Sequence, residues 1–230
     1  MANKSIVSNT KLDALAQAIA TKGGGTLPMT VDEMTAAVGA ISGEDLLQHR
    51  VSEDAQYGYE NENIIQLTPY AFANDLSLVH ISLPALQIIQ EKGMWYTYNL
   101  REDVVFPELT GVMDEGLSES GITGFTAPKI HNINYKAFNY GYFLEFVDLG
   151  SENSSYQIYI GSYAFANCSA LNRIIIRNNA VATLSSSDSI SGSSQLEIFV
   201  PDTLVSQYQS ASNWTAHASR IKPLSELPTT

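Results

Sequence analysis

The amino-acid sequence is poor in positive charge and in cysteine. Its 230 residues include 12 Lys and Arg side chains against 24 Asp and Glu, so the net charge is −12, and the basic residues are scattered along the chain. A nucleic-acid-binding surface needs a basic patch, so this distribution argues against a nucleic-acid partner. The single cysteine, Cys168, excludes an internal disulfide framework and a cysteine zinc site, because both need several thiols.

Long apolar segments are also missing. The first ten residues lack the apolar stretch of a signal peptide, and no run approaches the roughly 18 apolar residues of a membrane span. We therefore expect a soluble protein that inserts into no membrane and that reaches its working place by another route. Hydrophobic residues make up 44% of the chain, which excludes general disorder. The abundant Ser, Asn, Thr and Tyr are typical of extracellular or virion β-rich surfaces.

Residues 1–43 are predicted to form a helical module, in which residues 10–43 have the pattern of two short helices. Thr10 and Thr30 each stand three residues before an acidic residue, as at a helix start, and the glycines at 23–25 end the first helix. Helices of about three turns are marginal alone in water, so their apolar faces need a partner. Either they dock on the rest of the chain or, as we favour, they form an attachment and oligomerisation module, followed by an acidic linker over 44–60. The predicted contact residues are Leu12, Leu15, Ile19, Met34, Val38 and Ile41.

A repeat fills most of the sequence from residue 61 to residue 201. The segment Tyr70–Asn74 recurs unchanged as Tyr163–Asn167, and Ala137-Phe138 supplies a further copy of its central Ala-Phe pair. One alignment explains six segments, with landmarks at positions 84, 107, 128, 150, 177 and 201. In this alignment Trp95 takes the place of Phe72 in the second segment. Two stretches fit poorly: 113–121 is predicted to form an irregular coil, and the serine-rich stretch 185–194 is predicted to be a loop insertion.

Each segment predicts one coil of a solenoid. An alternating pair such as Ile81 and Leu83 places two apolar side chains on one face of a short strand, and neighbouring coils must stack to bury them. The pattern resembles the BspA-like leucine-rich repeat family, whose units run I-x-x-x-A-F-x-x-C/N-x-x-L-x-x-I-x-L-P. We therefore expect an α+β repeat solenoid: a short N-terminal helical hairpin, a leucine-rich-repeat solenoid over 61–201 and a C-terminal cap over 202–230.

The two ends of the chain carry further resemblances. In the cap we expect a short helix with Leu204, Val205 and Tyr208 packed on the last coil, and a buried Trp214, because an open solenoid edge must be covered. This tail resembles the closing segment of such repeat proteins in bacteriophages and prophages of Gram-positive bacteria. Residues 9–38 are similar to a segment of tail, baseplate and other virion proteins of such phages. The resemblances imply a virion protein.

The sequence shows no catalytic motif. The histidines 49, 80, 131 and 217 stand in no metal or nucleophile pattern, and His80 should face away from the core by strand alternation. Cys168 occupies a small-residue position of its repeat and should be buried. The acidic stretch 102–119 is interpreted as a solvated edge, although a calcium site there stays open. We therefore expect no enzyme, no cofactor and no catalytic residue, with a polysaccharide depolymerase as a minor alternative.

Four tyrosines outside the core positions are the candidate binding residues. Exposed tyrosines offer an apolar ring and a hydroxyl group at low entropic cost, which suits sugar or protein recognition, although packing between coils or subunits is the alternative. The sequence thus predicts a tail-fibre, baseplate or head-fibre adhesin that binds a host-surface glycan or protein, and other virion proteins through its hairpin. A purely structural virion protein and a bacterial cell-surface adhesin are the alternatives; the phage resemblance favours a homotrimer. The candidate residues are Tyr96, Tyr98, Tyr140 and Tyr142.

Overall fold

The computed structural model describes residues 56–228. The predicted hairpin, its six contact residues and residues 44–55 of the linker lie outside the described residues. Within 56–228, the strands are β1 Tyr57–Glu60, β2 Gln66–Leu67, β3 Leu78–Ser82, β4 Ile88–Ile89, β5 Asp103–Val105, β6 Gly111–Val112, β7 Gly124–Ala127, β8 Asn132–Ile133, β9 Phe146–Leu149, β10 Tyr159–Ile160, β11 Arg173–Ile176, β12 Thr183–Leu184, β13 Glu197–Val200 and β14 Ile221–Pro223.

Two parallel stacks of strands form the sides of a solenoid. One contains β2, β4, β6, β8, β10 and β12 in this order; the other contains β5, β7, β9, β11, β13 and β14, and β1 pairs separately with β3. Corresponding residues of successive coils lie side by side, as in the row Val104, Phe125 and Val147. Each of these side chains is at most 2% exposed, so the rows form the core. The prediction of a leucine-rich-repeat solenoid is confirmed.

A tight turn closes the third side of each of the first five coils. Its central residue is buried in the core, and its first and fifth residues have positive φ angles, for example 60° at both Tyr70 and Asn74. The central N–H group donates to the next coil, as from Phe72 to the carbonyl of Gly93 at 2.8 Å. The turns therefore stack through backbone hydrogen bonds although they contain no strand. The central row is Phe72, Met94, Leu117, Phe138 and Phe165.

This hydrogen-bond register corrects three details of the predicted repeat. Met94, and not Trp95, takes the place of Phe72 in the second coil, because the Met94 N–H group donates to Gly116 within the same ladder. The stretch 113–121 forms the same turn as the other coils, with Leu117 as its central residue, and its irregularity is confined to the missing residue after Glu119. The stretch 185–194 is no insertion, since Ser187–Ile190 forms a 3₁₀ helix whose Ser189 carbonyl accepts from Phe165 at 2.7 Å.

The solenoid begins earlier than the sequence indicated. Strand β1 starts at Tyr57 and runs parallel to β3, with Tyr59 opposite Ile81. Tyr59 is buried, and its ring centroid lies 5.2 Å from that of Phe72. Residues 57–60, which were predicted as the end of the linker, are therefore the first strand of the repeat region.

One longer loop is held by a buried asparagine. Gly150 follows β9 with a φ angle of 75°, and the Asn178 side chain occupies the space where a Cβ atom of residue 150 would lie. The Asn178 side-chain oxygen accepts from the Ser151 N–H group at 3.1 Å, and its amide donates to the Tyr156 carbonyl at 2.9 Å. The loop between β9 and β10 thus depends on the absence of a side chain at position 150.

The C-terminal cap covers the last coil as predicted. Within the described residues the one α-helix is α1, Val205–Ser210. Tyr208 in this helix and Trp214 beyond it are fully buried. The Trp214 indole donates to the Ala182 carbonyl at 2.7 Å, and the Asn213 amide donates to the Leu184 carbonyl at 2.7 Å. The Tyr208 hydroxyl accepts from the Ala182 N–H group at 2.9 Å. Side chains of the cap therefore supply the hydrogen bonds that a further strand beside β12 would make.

No helix within residues 56–228 is long and apolar enough to cross a membrane.

Candidate functional site

The four candidate tyrosines lie in pairs on one side of the solenoid. Tyr96 and Tyr140 are the fifth residues of their turns, in the second and fourth coils, with φ angles of 56° and 57°. Tyr98 and Tyr142 follow two positions later. The ring centroids are 6.2 Å apart for Tyr96 and Tyr98 and 5.8 Å apart for Tyr140 and Tyr142. All four side chains are 37–47% exposed, so each keeps part of its ring in solvent.

The third coil, between the two pairs, is locally one residue shorter. Leu100 follows Tyr96 by four positions and Leu144 follows Tyr140 by four, whereas Ile122 follows Glu119 by three. The shortened backbone runs so close to the second coil that a Cβ atom at Gly121 would overlap the Tyr98 carbonyl. Side chains of the second and fourth coils can therefore meet above it.

Tyr98 and Phe143 make this contact. Their ring centroids are 5.3 Å apart in an edge-to-face arrangement, and the Arg101 guanidinium lies against both rings. Nearby, the Trp95 indole lies 6.0 Å from the Tyr96 ring and donates to the Glu119 carboxylate at 3.2 Å. We call this surface the aromatic face. It comprises Trp95, Tyr96, Tyr98, Arg101, Glu119, Tyr140, Tyr142 and Phe143.

Arg101, Phe143 and Glu119 were missed by sequence reasoning. The second coil has one extra residue between its buried leucine, Leu100, and the core residue of its strand, Val104. These two are four positions apart, whereas the corresponding Leu144 and Val147 of the fourth coil are three apart. This extra residue falls beside Arg101. A count of residues between core positions could have located both the longer second coil and the shorter third coil.

The carboxylates of the acidic stretch 102–119 contact separate partners and do not form one cluster. Glu108 pairs with Lys129 at 2.7 Å, Glu115 pairs with Lys92 at 3.5 Å, and Asp103 accepts from the Thr123 hydroxyl at 2.7 Å. In the part of the chain that the structure describes, no group of three or more His, Cys, Asp or Glu side chains is arranged to hold a metal ion. A calcium site within 102–119 therefore gains no support from this geometry.

The Glu102 side chain lies at the end of the strand stack that begins with β5, next to β3. Its carboxylate accepts from the Ile81 N–H group at 2.7 Å and lies 2.8 Å from Nδ1 of His80, so a side chain stands where backbone pairing between β3 and β5 would continue. His80 Nε2 lies 3.3 Å from Glu60. His80 does face away from the core, as predicted, but it bridges two carboxylates. The Glu102 hydrogen bond raises the pKa of His80 above its ordinary value.

This bridge predicts a pH-dependent stability. Because the pKa of His80 is raised in the folded state, the charged imidazole stabilises the fold fully below the unfolded value of about 6.5, and this contribution is lost as the pH rises through the folded pKa. We expect the difference in Tm between the wild type and His80→Gln to be larger at pH 5.5 than at pH 8.5. Thermal unfolding followed by circular dichroism checks this, and a difference that is equal at both pH values would contradict it.

Cys168 is buried, as the repeat predicted. Its Sγ lies 3.1 Å from the Phe138 carbonyl, and burial raises the pKa of the thiol to about 12. Reactive cysteines have lowered pKa values and partial exposure. Cys168 is therefore a core residue and no candidate nucleophile.

The comparisons with known proteins concern the repeat. The BspA type leucine rich repeat region matches this chain in six copies, over residues 59–145 and 131–222. The solved pneumococcal vaccine antigen PcpA is 18% identical, with a TM-score of 0.37, over 71% of this chain and 33% of that one. A leucine-rich repeat protein from Bacteroides ovatus is 11% identical, with a TM-score of 0.33, over 61% of this chain and 54% of that one. This chain thus spans about a third and about half of these two structures, and no curated protein matches it.

Proposed function

Because this chain belongs to the BspA-type leucine-rich repeat family, we propose that it is a non-enzymatic binding protein whose aromatic face contacts a glycan or protein on a cell surface. The observation that carries the proposal is a group of six aromatic side chains on the second and fourth coils, which meet at Tyr98 and Phe143 and include four partly exposed tyrosine rings. Rigid aromatic rings lose little conformational entropy on binding, and their hydroxyl groups form hydrogen bonds at the rim of a contact.

A virion is the place where we propose that this binding operates. Support comes from the sequence alone: residues 9–38 are similar to a segment of phage tail and baseplate proteins, and the tail after residue 201 resembles that of phage repeat proteins. In this proposal residues 1–43 attach the chain to other virion proteins and assemble it as a trimer. Several copies would then bind a surface together, so that a weak single contact gives a strong overall attachment.

Binding of the full chain to cells tests the proposal. The fluorescently labelled protein is titrated onto whole Gram-positive bacteria of several species and onto their purified cell walls. We expect saturable binding restricted to certain hosts, and at least a tenfold loss of affinity in the double variant Tyr96→Ser/Tyr98→Ser, because it removes two adjacent rings of the aromatic face. Catalytic release of soluble sugars from the same walls is expected to be absent.

Exposed tyrosines elsewhere on the chain supply the control. Tyr70 and Tyr159 are 54% and 39% exposed and lie outside the aromatic face, so Tyr70→Ser/Tyr159→Ser should bind as the wild type does. Equal losses in both double variants would contradict a specific role of the aromatic face. Absence of binding to every surface by the folded wild type would instead favour a purely structural role between virion subunits.

A further inference from the structure

Arg101 combines two features: it contacts two aromatic rings, and it has no carboxylate partner among the described residues. Its Cζ atom lies 3.1 Å from the ring centroid of Phe143 and 4.4 Å from that of Tyr98, and its side chain is exposed. Among residues 56–228, no carboxylate lies within salt-bridge distance of Arg101. The two rings contact the guanidinium through cation–π interactions, which leave the N–H donors at its edge without an anionic acceptor from this part of the chain.

We propose that the aromatic face binds a sugar residue carrying one anionic group, a carboxylate or a phosphate. The sugar ring lies on Tyr98, and the anionic group is held by Arg101. This inference rests on the proposed function, since it names the ligand class of the same face.

The fixed position of Arg101 favours such a ligand. A guanidinium group presents two parallel N–H donors, which match the two oxygens of a carboxylate or phosphate. Because Tyr98 and Phe143 already restrict the arginine side chain, less conformational entropy is lost when an anion binds. By contrast, Lys129 and Arg177 are already paired with Glu108 and Asp148, each at 2.7 Å.

Glu119 limits how much negative charge the ligand can carry. Its carboxylate lies on the same face, bonded to the Trp95 indole, and it offers an acceptor to a sugar hydroxyl group. Together with the net charge of −12, it repels densely charged polyanions. The face therefore favours an isolated anionic group next to uncharged hydroxyl groups.

Matched pairs of sugars test this inference on the full chain. Dissociation constants are measured by saturation-transfer NMR for methyl β-glucuronoside and its uncharged methyl ester, and for glucose 6-phosphate and glucose. We expect at least one anionic sugar to bind at least tenfold more tightly than its neutral counterpart. A preference confined to the carboxylate pair or to the phosphate pair supports the inference and identifies the anionic group.

Substitution of Arg101 provides the second arm. Arg101→Gln should abolish the preference for the anionic sugar, because it removes the charged N–H donors while Tyr98 and Phe143 remain. Arg173→Gln is the matched control, since Arg173 also lies over an aromatic ring, with its Cζ 5.6 Å from the Phe146 centroid, and it should keep the preference. Equal binding of charged and neutral sugars, or binding of none, overturns the inference. The proposed function is tested separately, by the binding of the tyrosine variants to cells.

Discussion

Replacement of Trp214 with alanine is expected to lower the free energy of unfolding by about 3–5 kcal/mol, among the largest effects of any single change in this chain. Trp214 is fully buried, and its ring centroid lies 5.1 Å from that of Tyr208 in an edge-to-face contact. The change leaves a cavity in the cap and removes the donor to the Ala182 carbonyl. Urea unfolding followed by circular dichroism measures the loss.

A milder variant separates the two causes. Trp214→Phe keeps most of the apolar volume but removes the indole N–H group, and a buried carbonyl without a donor costs about 1–3 kcal/mol. Hydrogen exchange should then accelerate first in β12 and β13, beneath the cap. If Trp214→Ala unfolds at the same urea concentration as the wild type, Trp214 contributes nothing to the stability of the last coils.

Replacement of Gly150 with alanine is expected to destabilise the fold by about 3–4 kcal/mol. A positive φ angle costs a residue with a Cβ atom about 1–2 kcal/mol. The new methyl group would also displace the Asn178 side chain, whose two hydrogen bonds contribute roughly 1 kcal/mol each. The measurement is again urea unfolding at equilibrium.

Gly58→Ala is the matched control for this substitution. A Cβ atom at Gly58 would lie 3.3 Å from Cβ and Cδ2 of His80, so His80 would have to move by only a few tenths of an ångström, and Gly58 has no positive φ angle. Its effect should stay within about 1 kcal/mol. Similar losses in the two variants would show that the cost comes from glycine in general and not from the position of Asn178.

The repeat was predictable from the sequence because its apolar residues recur with the period of a coil. The error at Trp95 arose because the alignment followed the aromatic residue of the Ala-Phe pair. The small residue before the central position is the firmer signal, since the backbone is crowded there. At Gly116, a Cβ atom would lie 2.8 Å from the Val112 side chain, and at Gly93 it would lie 3.0 Å from that of Ile89. Gly93-Met94 and Gly116-Leu117 therefore fill the positions of Ala-Phe.

The candidate site was only half predictable. Tyr96 and Tyr140 share a turn position, and the repeat alignment sufficed to set them apart from the core. The contact between Tyr98, Phe143 and Arg101 depends instead on two small differences in coil length, which change how neighbouring coils approach each other. The hydrogen bond from the Ile81 N–H group to Glu102 was not predictable either. It is made by one side chain in the place of a backbone carbonyl, and it does not recur in the other coils, so no periodic pattern marks it.

The cap has a consequence for how the number of coils can change. Tyr208, Asn213 and Trp214 bond to main-chain atoms of residues 180–184, and the His217 and Arg220 side chains lie 3.0 Å from the carbonyls of Ser187 and Ser193. The cap therefore contacts the backbone of the last coil and does not depend on the side chains of the coils upstream. Duplication or deletion of a whole coil upstream would leave this docking surface in place. The solenoid can therefore gain or lose coils without any change in the residues of its cap.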